Sequence, residues 1–234
     1  MKKIAFRLLP FLLAALALYS GYRAWDIGKD YRAEAEMHGL VMDYKPQPPT
    51  AESVNRSVIG LQEKYPDVAG WLTVPNTNID YPFVWYKDND HYLRRDLNGV
   101  YATAGTLFID YRCEDDFTSQ NTIIYGHHMK NGSMFGTLKA FADEDFFAAN
   151  TCGTIYLPRE TLTLEFFAYM IVKSTDREIY SIVLSDSYLG YVKQNARHYR
   201  EAGLTDGDRI VTLSTCSYEF NNARIVLLAK VIRS

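Results

Sequence analysis

A cysteine, an arginine and a histidine each stand at one end of an apolar segment in this chain of 234 residues: Cys216, Arg224 and His127. A thiolate is a strong nucleophile, and a neighbouring guanidinium favours the thiolate and can hold the carbonyl oxygen that the sulfur attacks. Imidazole titrates near neutral pH, so it can give a proton to a leaving amine and take one from an incoming amine. These residue types therefore indicate acyl transfer through a cysteine nucleophile.

The spacing of Cys216 and Arg224 predicts that they face each other. The runs Asp208–Thr215 and Arg224–Ile232 are both rich in Ile, Val and Leu, which predicts two strands. The loop between them, Ser217–Ala223, is short enough to return the chain alongside itself. Cys216 and Arg224 would then lie roughly 5 Å apart across neighbouring strands.

Two adjacent histidines, His127 and His128, follow another strand-like run. Successive side chains of a strand alternate faces, so the two cannot both point into one site. Each candidate also has a structural interpretation. A lone cysteine at the position of Cys216 is more often a packed small residue, and Arg224 could be a strand-edge charge that pairs with Glu219.

The combination of Tyr125–His127, Thr212–Cys216 and Arg224 resembles the sortases, which are membrane-anchored cysteine transpeptidases of Gram-positive bacteria. Further segments are similar to class B sortases, and together they span most of residues 53–234: Pro66–Leu72, Asn76–Pro82, Asn89–Leu93, His127–Met129 and Met134–Phe135. The resemblance implies a mainly β fold with helices. It would be a closed sortase-type β-barrel with N-terminal helices and a helix inserted before the cysteine strand.

The resemblance also implies a reaction. A sortase cleaves a C-terminal sorting signal after Thr, holds the protein as a thioacyl intermediate on cysteine, and transfers it to a cell-wall amine or a pilin lysine. The partners implied are therefore surface proteins or pilins that bear such a signal, and a peptidoglycan precursor that supplies the acceptor amine. No cofactor and no metal are implied.

The family pattern gives the catalytic roles to His127, Cys216 and Arg224, and it makes His128 structural. Seven further positions match the residues that line the sorting-signal groove in class B members: Asn89, Leu93, Tyr125, Thr175, Ile179, Tyr180 and Ser214. The pair Ile179–Tyr180 has its aliphatic and aromatic residues in reversed order, and Ser217 stands where some relatives have an acidic residue. The preferred signal therefore stays open between Asn-Pro-x-Thr, pilin-type and Pro-Pro-x-Thr-Gly-type motifs.

Composition excludes several other classes of protein. A net charge of −3 without a concentrated basic stripe gives no electrostatic basis for nucleic-acid binding. The three cysteines, Cys113, Cys152 and Cys216, are too few and scattered for a disulfide scaffold and form no paired metal-ligand motif. A disulfide between Cys113 and Cys152 stays open as a minor alternative. With 47% hydrophobic residues the chain can bury one core, so one globular domain is expected.

The N-terminus has the features of an export signal, because Lys2, Lys3 and Arg7 precede the apolar stretch Leu8–Tyr19. This stretch lies between the lengths of a signal peptide and a short membrane span, and the charges favour a cytoplasmic N-terminus. The sortase resemblance favours an uncleaved single-pass anchor in the cell membrane and an extracellular catalytic domain. We therefore predict three parts: an anchor over 1–25, a helix and Pro-rich linker over 26–52, and a catalytic domain over 53–234.

Hydrophobic periodicity predicts the elements that carry these residues. Besides the two runs around Cys216, strands are predicted at Gly105–Asp110, Asn121–Gly126, Gly153–Leu157 and Thr161–Val172. In the last of these, Leu162, Leu164, Phe166 and Ala168 are predicted to share one face. Helices are predicted over Asp26–His38, Ser53–Tyr65 and Ser185–Ala202. Ser185 would cap the start of the last helix and Gly203 its end.

Two other functions stay open at this point. One is a different cysteine enzyme, such as a protease or an L,D-transpeptidase, although the Ser-His-Gly-x-x-x-Arg type signature of the latter is absent from the sequence. The other is a catalytically silent module of wall binding or pilus assembly. Thiol-dependent cleavage of a sorting peptide separates the silent module from an enzyme.

Overall fold

The computed structural model describes residues 2–47, 54–205 and 207–233. The chain divides into two compact units, Met1–Leu40 and Val41–Ser234. Helix α1 runs over Lys2–Met42 and so includes the predicted helix Asp26–His38. Of the predicted Pro-rich linker, residues 45–47 have no regular structure, and Pro48 and Pro49 lie outside the described residues. The division into an anchor, a linker and a catalytic domain stays a prediction.

Among the residues that the structure describes, no helix combines the length and the apolar character needed to cross a membrane.

Nine strands are present in the part of the second unit that the structure describes. These are β1 (Val68–Thr73), β2 (Asp80–Val84), β3 (Leu107–Ile109), β4 (Asn121–Tyr125), β5 (Cys152–Tyr156), β6 (Thr161–Lys173), β7 (His198–Tyr199), β8 (Ile210–Cys216) and β9 (Ala223–Arg233). All the strands predicted from periodicity are present, with ends that differ by at most a few residues.

Eight of these strands form a closed barrel. Their order is β5-β1-β2-β3-β4-β8-β9-β6, and antiparallel pairing of β5 with β6 completes the circle. The pairs β2–β3 and β4–β8 are parallel, and the other neighbours are antiparallel. Closure gives each of these eight strands a partner on both sides over at least part of its length, which limits the unpaired edges that could pair with another chain. The predicted fold class, a closed sortase-type β-barrel with helices, is confirmed.

Apolar clusters pack against both faces of β6, and a β-bulge in this strand shifts which of its residues reach each cluster. Leu162, Leu164 and Phe166 belong to the larger cluster, which also contains residues of β1, β2, β3, β4, β8 and β9. The register shifts between Phe166 and Ala168, and Ala168 belongs to the second cluster, against helix α4. The prediction that Ala168 shares a face with Leu162 was therefore wrong, because a bulge reverses the alternation.

Short helices precede and connect the strands of the second unit. Helix α2 (Arg56–Lys64) lies within the helix predicted over Ser53–Tyr65, and its Val58 and Leu61 are buried; Ser53 itself lies outside the described residues. Helix α3 (Glu144–Ala149) begins after Asp143, whose side chain accepts a hydrogen bond from the backbone of Phe146. Two short 3₁₀ segments cover Tyr92–Arg94 and Gly136–Ala142.

The helix before the cysteine strand is present but shorter than predicted. Helix α4 is Tyr188–Asn195, it follows Ser187 rather than Ser185, and Ala196 is already extended. His198–Tyr199 forms β7 instead, paired with Tyr169 and Ala168 of β6. On this edge β5 pairs with β6 only as far as Glu165. The open backbone groups beyond that point favour a strand, so the predicted helical end at Gly203 was wrong.

Candidate active site

Strand register brings the three candidate catalytic residues to one end of the barrel. In the parallel pair β4–β8, Tyr125 at the end of β4 lies opposite Ser214, and β8 continues to Cys216. His127 follows Tyr125 by two residues, as Cys216 follows Ser214. In the antiparallel pair β8–β9, Cys216 lies opposite Arg224, as the loop length predicted.

These residues line a cleft of about 240 Å³. Its lining is Asn89, Leu93, Phe108, Tyr125, Gly126, His127, Ser174, Tyr180, Ser214, Thr215, Cys216 and Arg224. Cys216, His127 and Arg224 are each half-buried, so each side chain is held by its surroundings and still reachable from the cleft.

A hydrogen bond fixes the orientation of the His127 ring. Its Nε2 lies 2.7 Å from the carbonyl oxygen of Leu93. A carbonyl can only accept, so Nε2 carries the hydrogen, and Nδ1 is the nitrogen left to exchange a proton. Burial lowers the pKa of His127, the hydrogen bond to Leu93 opposes this, and the charge of Arg94 lowers the pKa further. The net effect favours the neutral imidazole.

The structure gives His128 a different position. Its Nδ1 donates to the backbone oxygen of Cys216 at 2.9 Å, and its ring meets that of Tyr218 edge to face. His128 also forms an isolated β-bridge with Met134. It therefore supports the backbone at Cys216 and does not line the cleft, which is the separation that strand alternation predicted.

A hydrogen bond to the backbone of its own strand orients the Arg224 side chain. Its Nη1 donates to the carbonyl oxygen of Ala223 at 2.9 Å, which leaves other N–H groups of the guanidinium free for the cleft. None of the salt bridges found among the described residues contains Arg224 or Glu219, so the alternative of a strand-edge ion pair between them was wrong. Cys113, Cys152 and Cys216 are all free thiols, so the minor alternative of a disulfide between Cys113 and Cys152 was wrong.

Comparisons with known proteins agree with this geometry. The sortase domain family matches residues 72–232. Sortase B of Listeria monocytogenes is 33% identical over 96% of this chain and 95% of that protein. Sortase B of Bacillus anthracis has a TM-score of 0.76 at 33% identity, over 88% of this chain and 99% of that one. A Streptococcus pyogenes class B sortase involved in pilus biogenesis has a TM-score of 0.70 at 31% identity, over 74% of this chain and 97% of that one.

The chain belongs to the sortase family. The relatives and structures named above are class B sortases, so this sortase is a class B cysteine transpeptidase. The interpretation as a protease or transpeptidase of another family is thereby excluded.

Five of the seven predicted groove residues of this sortase line the cleft: Asn89, Leu93, Tyr125, Tyr180 and Ser214. Thr175 lies in an adjoining depression, which shares Asn89, Tyr125, Ser174 and Tyr180 with the cleft. Ile179 does not reach either one, because its side chain is fully buried in the apolar cluster around α4. The position next to it, Tyr180, is the one that faces the cleft.

Some residues of the site were not predicted. Phe108 and Ser174 line the cleft, and an ion pair of Asp110 with Arg112 lies beside it. The alternation of the strand containing Phe108 would have placed it on one face, but it would not have shown which face.

Gly126 has a packing role, since a Cβ there would collide with the side chains of Leu107 and Phe135. Within the described residues no cluster of three or more His, Cys, Asp or Glu side chains could hold a metal ion.

Proposed function

We propose that this sortase cleaves a C-terminal sorting signal after its Thr and passes the protein to a cell-wall amine. The observation that carries the proposal is the meeting of Cys216, His127 and Arg224 at one end of the barrel, around a cleft open to a peptide. A nucleophile, a proton-transfer group and a set of oxyanion donors are the parts that acyl transfer needs.

In the first step the Cys216 thiolate attacks the carbonyl carbon of Thr. A bond forms between sulfur and carbon, and guanidinium N–H groups of Arg224 hold the oxyanion that develops. The C–N bond to the next residue then breaks, and Nδ1 of a protonated His127 gives its proton to the leaving amine. This assignment follows from the bond that occupies Nε2 with the Leu93 carbonyl.

In the second step an amine attacks the thioacyl carbon, and neutral His127 takes the proton that the amine loses. A C–N bond forms, the C–S bond breaks, and Cys216 returns to its thiolate. The acceptor proposed first is an amine of a peptidoglycan precursor. A pilin lysine is a second candidate, because one matched relative, from Streptococcus pyogenes, is a class B sortase involved in pilus biogenesis.

The groove residues extend the proposal to the substrate. Asn89, Leu93, Tyr125, Tyr180 and Ser214 line the cleft beside the sulfur and would contact the sorting signal. An Asn-Pro-x-Thr type signal is proposed first. Anchoring in the cell membrane through residues 1–25, with an extracellular catalytic domain, is proposed from the basic residues and apolar stretch at the N-terminus.

The test is a cleavage screen of the full chain against fluorogenic sorting peptides of the three motif types, with and without a primary amine such as triglycine or a lysine peptide. We expect one motif to be preferred and the ligated product to appear when amine is present. Cys216→Ala should abolish cleavage with the fold intact, whereas Cys113→Ala and Cys152→Ala should keep most activity. Turnover by a folded Cys216→Ala protein would contradict the assignment, and the absence of cleavage by the native chain would favour a silent assembly module.

A further inference from the structure

A short segment next to the cleft contacts three groove residues from three separate parts of the chain. Asp110, Tyr111 and Arg112 follow strand β3 directly, and we call them the hub segment. Tyr125 donates its hydroxyl hydrogen to Oδ2 of Asp110 at 3.0 Å. The backbone N–H of Tyr111 donates to the side-chain oxygen of Asn89 at 3.0 Å.

The third contact of the hub segment is made by Arg112. Its Nη2 donates to the carbonyl oxygen of Tyr180 at 3.1 Å. The Tyr180 ring stacks on that of Tyr125 with centroids 6.3 Å apart, and its hydroxyl lies 2.9 Å from Oγ of Ser214. The hub segment is therefore bonded directly to three groove residues and, through Tyr180, to a fourth.

An ion pair holds the hub segment in shape. Nε and Nη2 of Arg112 donate to the two oxygens of Asp110, both at 2.8 Å, and the backbone N–H of Arg112 donates to the same carboxylate at 3.0 Å. The Asp110 side chain is only 1% exposed, so its charge depends on these partners. Burial raises the pKa of Asp110, but the hydrogen bonds and the charge of Arg112, together with the hydrogen bond from Tyr125, outweigh burial and keep the pKa below its usual value.

We propose that the Asp110–Arg112 ion pair is a positioning device that sets the sorting-signal groove by fixing Tyr125, Asn89 and Tyr180 relative to one another. None of the hub contacts reaches Cys216 or His127, whose places follow from strand register and from the Leu93 carbonyl. Loss of the ion pair should thus weaken binding of the peptide and leave the reactivity of the thiol intact. This inference rests on the proposed function of the cleft.

The experiment uses Arg112→Lys in the full chain. Lysine keeps the charge that Asp110 needs, but an ammonium cannot make two parallel bonds to a carboxylate and also reach the Tyr180 carbonyl. We expect KM for the best-cleaved sorting peptide to rise on the order of 10-fold, which is the effect of losing a charge-assisted hydrogen bond, with little change in kcat.

Arg233→Lys is the matched control. Arg233 also bonds a carboxylate, that of Glu160, and a backbone carbonyl, that of Asp116, but it lies at the end of β9 away from the cleft. It should keep the native KM. A double-mutant cycle of Arg112→Lys with Tyr125→Phe should show less than additive changes in KM, because both remove parts of one network.

The reactivity of Cys216 gives the second readout. Iodoacetamide is too small to use the groove, so its alkylation of Cys216 in Arg112→Lys should proceed within about twofold of the native rate. The rate is measured in a Cys152→Ala background, because Cys152 is exposed and would react as well. A cooperative unfolding transition shows that a variant is folded. If Arg112→Lys lacks such a transition, the charge-neutral Asp110→Asn/Arg112→Gln variant replaces it in both measurements.

Three outcomes would overturn the inference. They are a native KM in folded variants, an alkylation rate that falls in parallel with kcat, and failure of both variants to fold. If instead native and Arg233→Lys enzymes cleave no sorting peptide, the proposed function itself fails.

Discussion

The cleft of this sortase has two walls that are held in different ways. The strand wall consists of His127, Ser214, Cys216 and Arg224, at or just beyond the ends of β4, β8 and β9. The loop wall lies in residues 174–187, between β6 and α4, and presents Ser174 and Tyr180 to the cleft. Backbone ladders fix the strand wall. The loop wall belongs to no ladder, and side-chain hydrogen bonds hold it together with single backbone bonds, such as those of the Ser174 N–H to the Asn222 oxygen and of the Asn121 N–H to the Ile182 oxygen.

The bonds of the loop wall come from several directions. Nδ2 of the buried Asn121 donates to the carbonyl oxygens of Ile179 and Ser181 at 3.1 and 2.8 Å. Asp176 accepts from the backbone N–H of Ile179 at 3.1 Å and from the Tyr191 hydroxyl at 2.6 Å. We infer that the strand wall sets the rate of the chemical steps and that the loop wall sets the affinity for the peptide.

The largest expected effect separates the two adjacent histidines of the strand wall. His127→Ala should lower kcat/KM by roughly 10²- to 10⁴-fold, because it removes the proton-transfer group of both steps. His128→Ala should be mild, since that side chain supports the Cys216 backbone and does not face the cleft. Single-turnover acylation with a sorting peptide measures both variants. If the two exchanged behaviour, the proton-transfer role would belong to His128.

Arg224→Lys should be the next largest change although it keeps the charge. A guanidinium presents several donors in a rigid plane, and one of those of Arg224 is already used on Ala223. An ammonium on a flexible stem cannot make the same bonds, and loss of one oxyanion donor costs on the order of 10²-fold in rate. The measurement is the acylation rate, with folding checked by circular dichroism. Near-equal rates would show that Arg224 contributes no directional bond.

The two walls also differ in how far the sequence alone predicts them. Cys216, Arg224 and His127 lie at the ends of runs rich in Ile, Val and Leu, and strand register then leaves little freedom in where they go. A loop has no such periodicity. Ile179 and Tyr180 are adjacent, yet one is buried against α4 and the other faces the cleft, and the side-chain bonds that decide this come from distant residues.

Other features depended on tertiary contacts that no local pattern records. The helix predicted to reach Ala202 ends at Asn195 because β6 has an edge that needs a partner. The bulge after Phe166 moves Ala168 to the other apolar cluster. The Asp110–Arg112 ion pair looks in the sequence like two ordinary charges after a strand, and only the fold puts Tyr125 and Tyr180 within reach of it.

Tyr180→Phe tests the loop wall with a smaller expected effect. The change removes the hydroxyl that pairs with Ser214 and keeps the ring that stacks on Tyr125. Loss of one hydrogen bond should raise KM about 3- to 10-fold with kcat nearly unchanged. Steady-state kinetics with the best-cleaved peptide measure both constants. A fall in kcat at constant KM would contradict the division between the two walls.

The smallest expected effect concerns the pKa of His127. Burial is the main cause of its lowered pKa, and the charge of Arg94 adds to that effect. Arg94→Gln removes a positive charge near the ring, so the imidazolium becomes easier to form and the pKa of His127 should rise toward the ordinary value. Since the protonated ring is the proposed acid, the alkaline limb of kcat/KM should move to higher pH.

The shift is measured by NMR titration of the imidazole in a Cys216→Ala background, which removes coupling to the thiol. Arg95→Gln is the matched control, because Arg95 is an adjacent exposed arginine that is not among the groups that shift the pKa of His127. High salt should reduce the difference between Arg94→Gln and native protein, because the interaction of an exposed charge is screened. An unchanged titration midpoint in Arg94→Gln at low salt would leave burial as the sole cause, and the placement of the ring in the strand wall would then determine its proton affinity without help from Arg94.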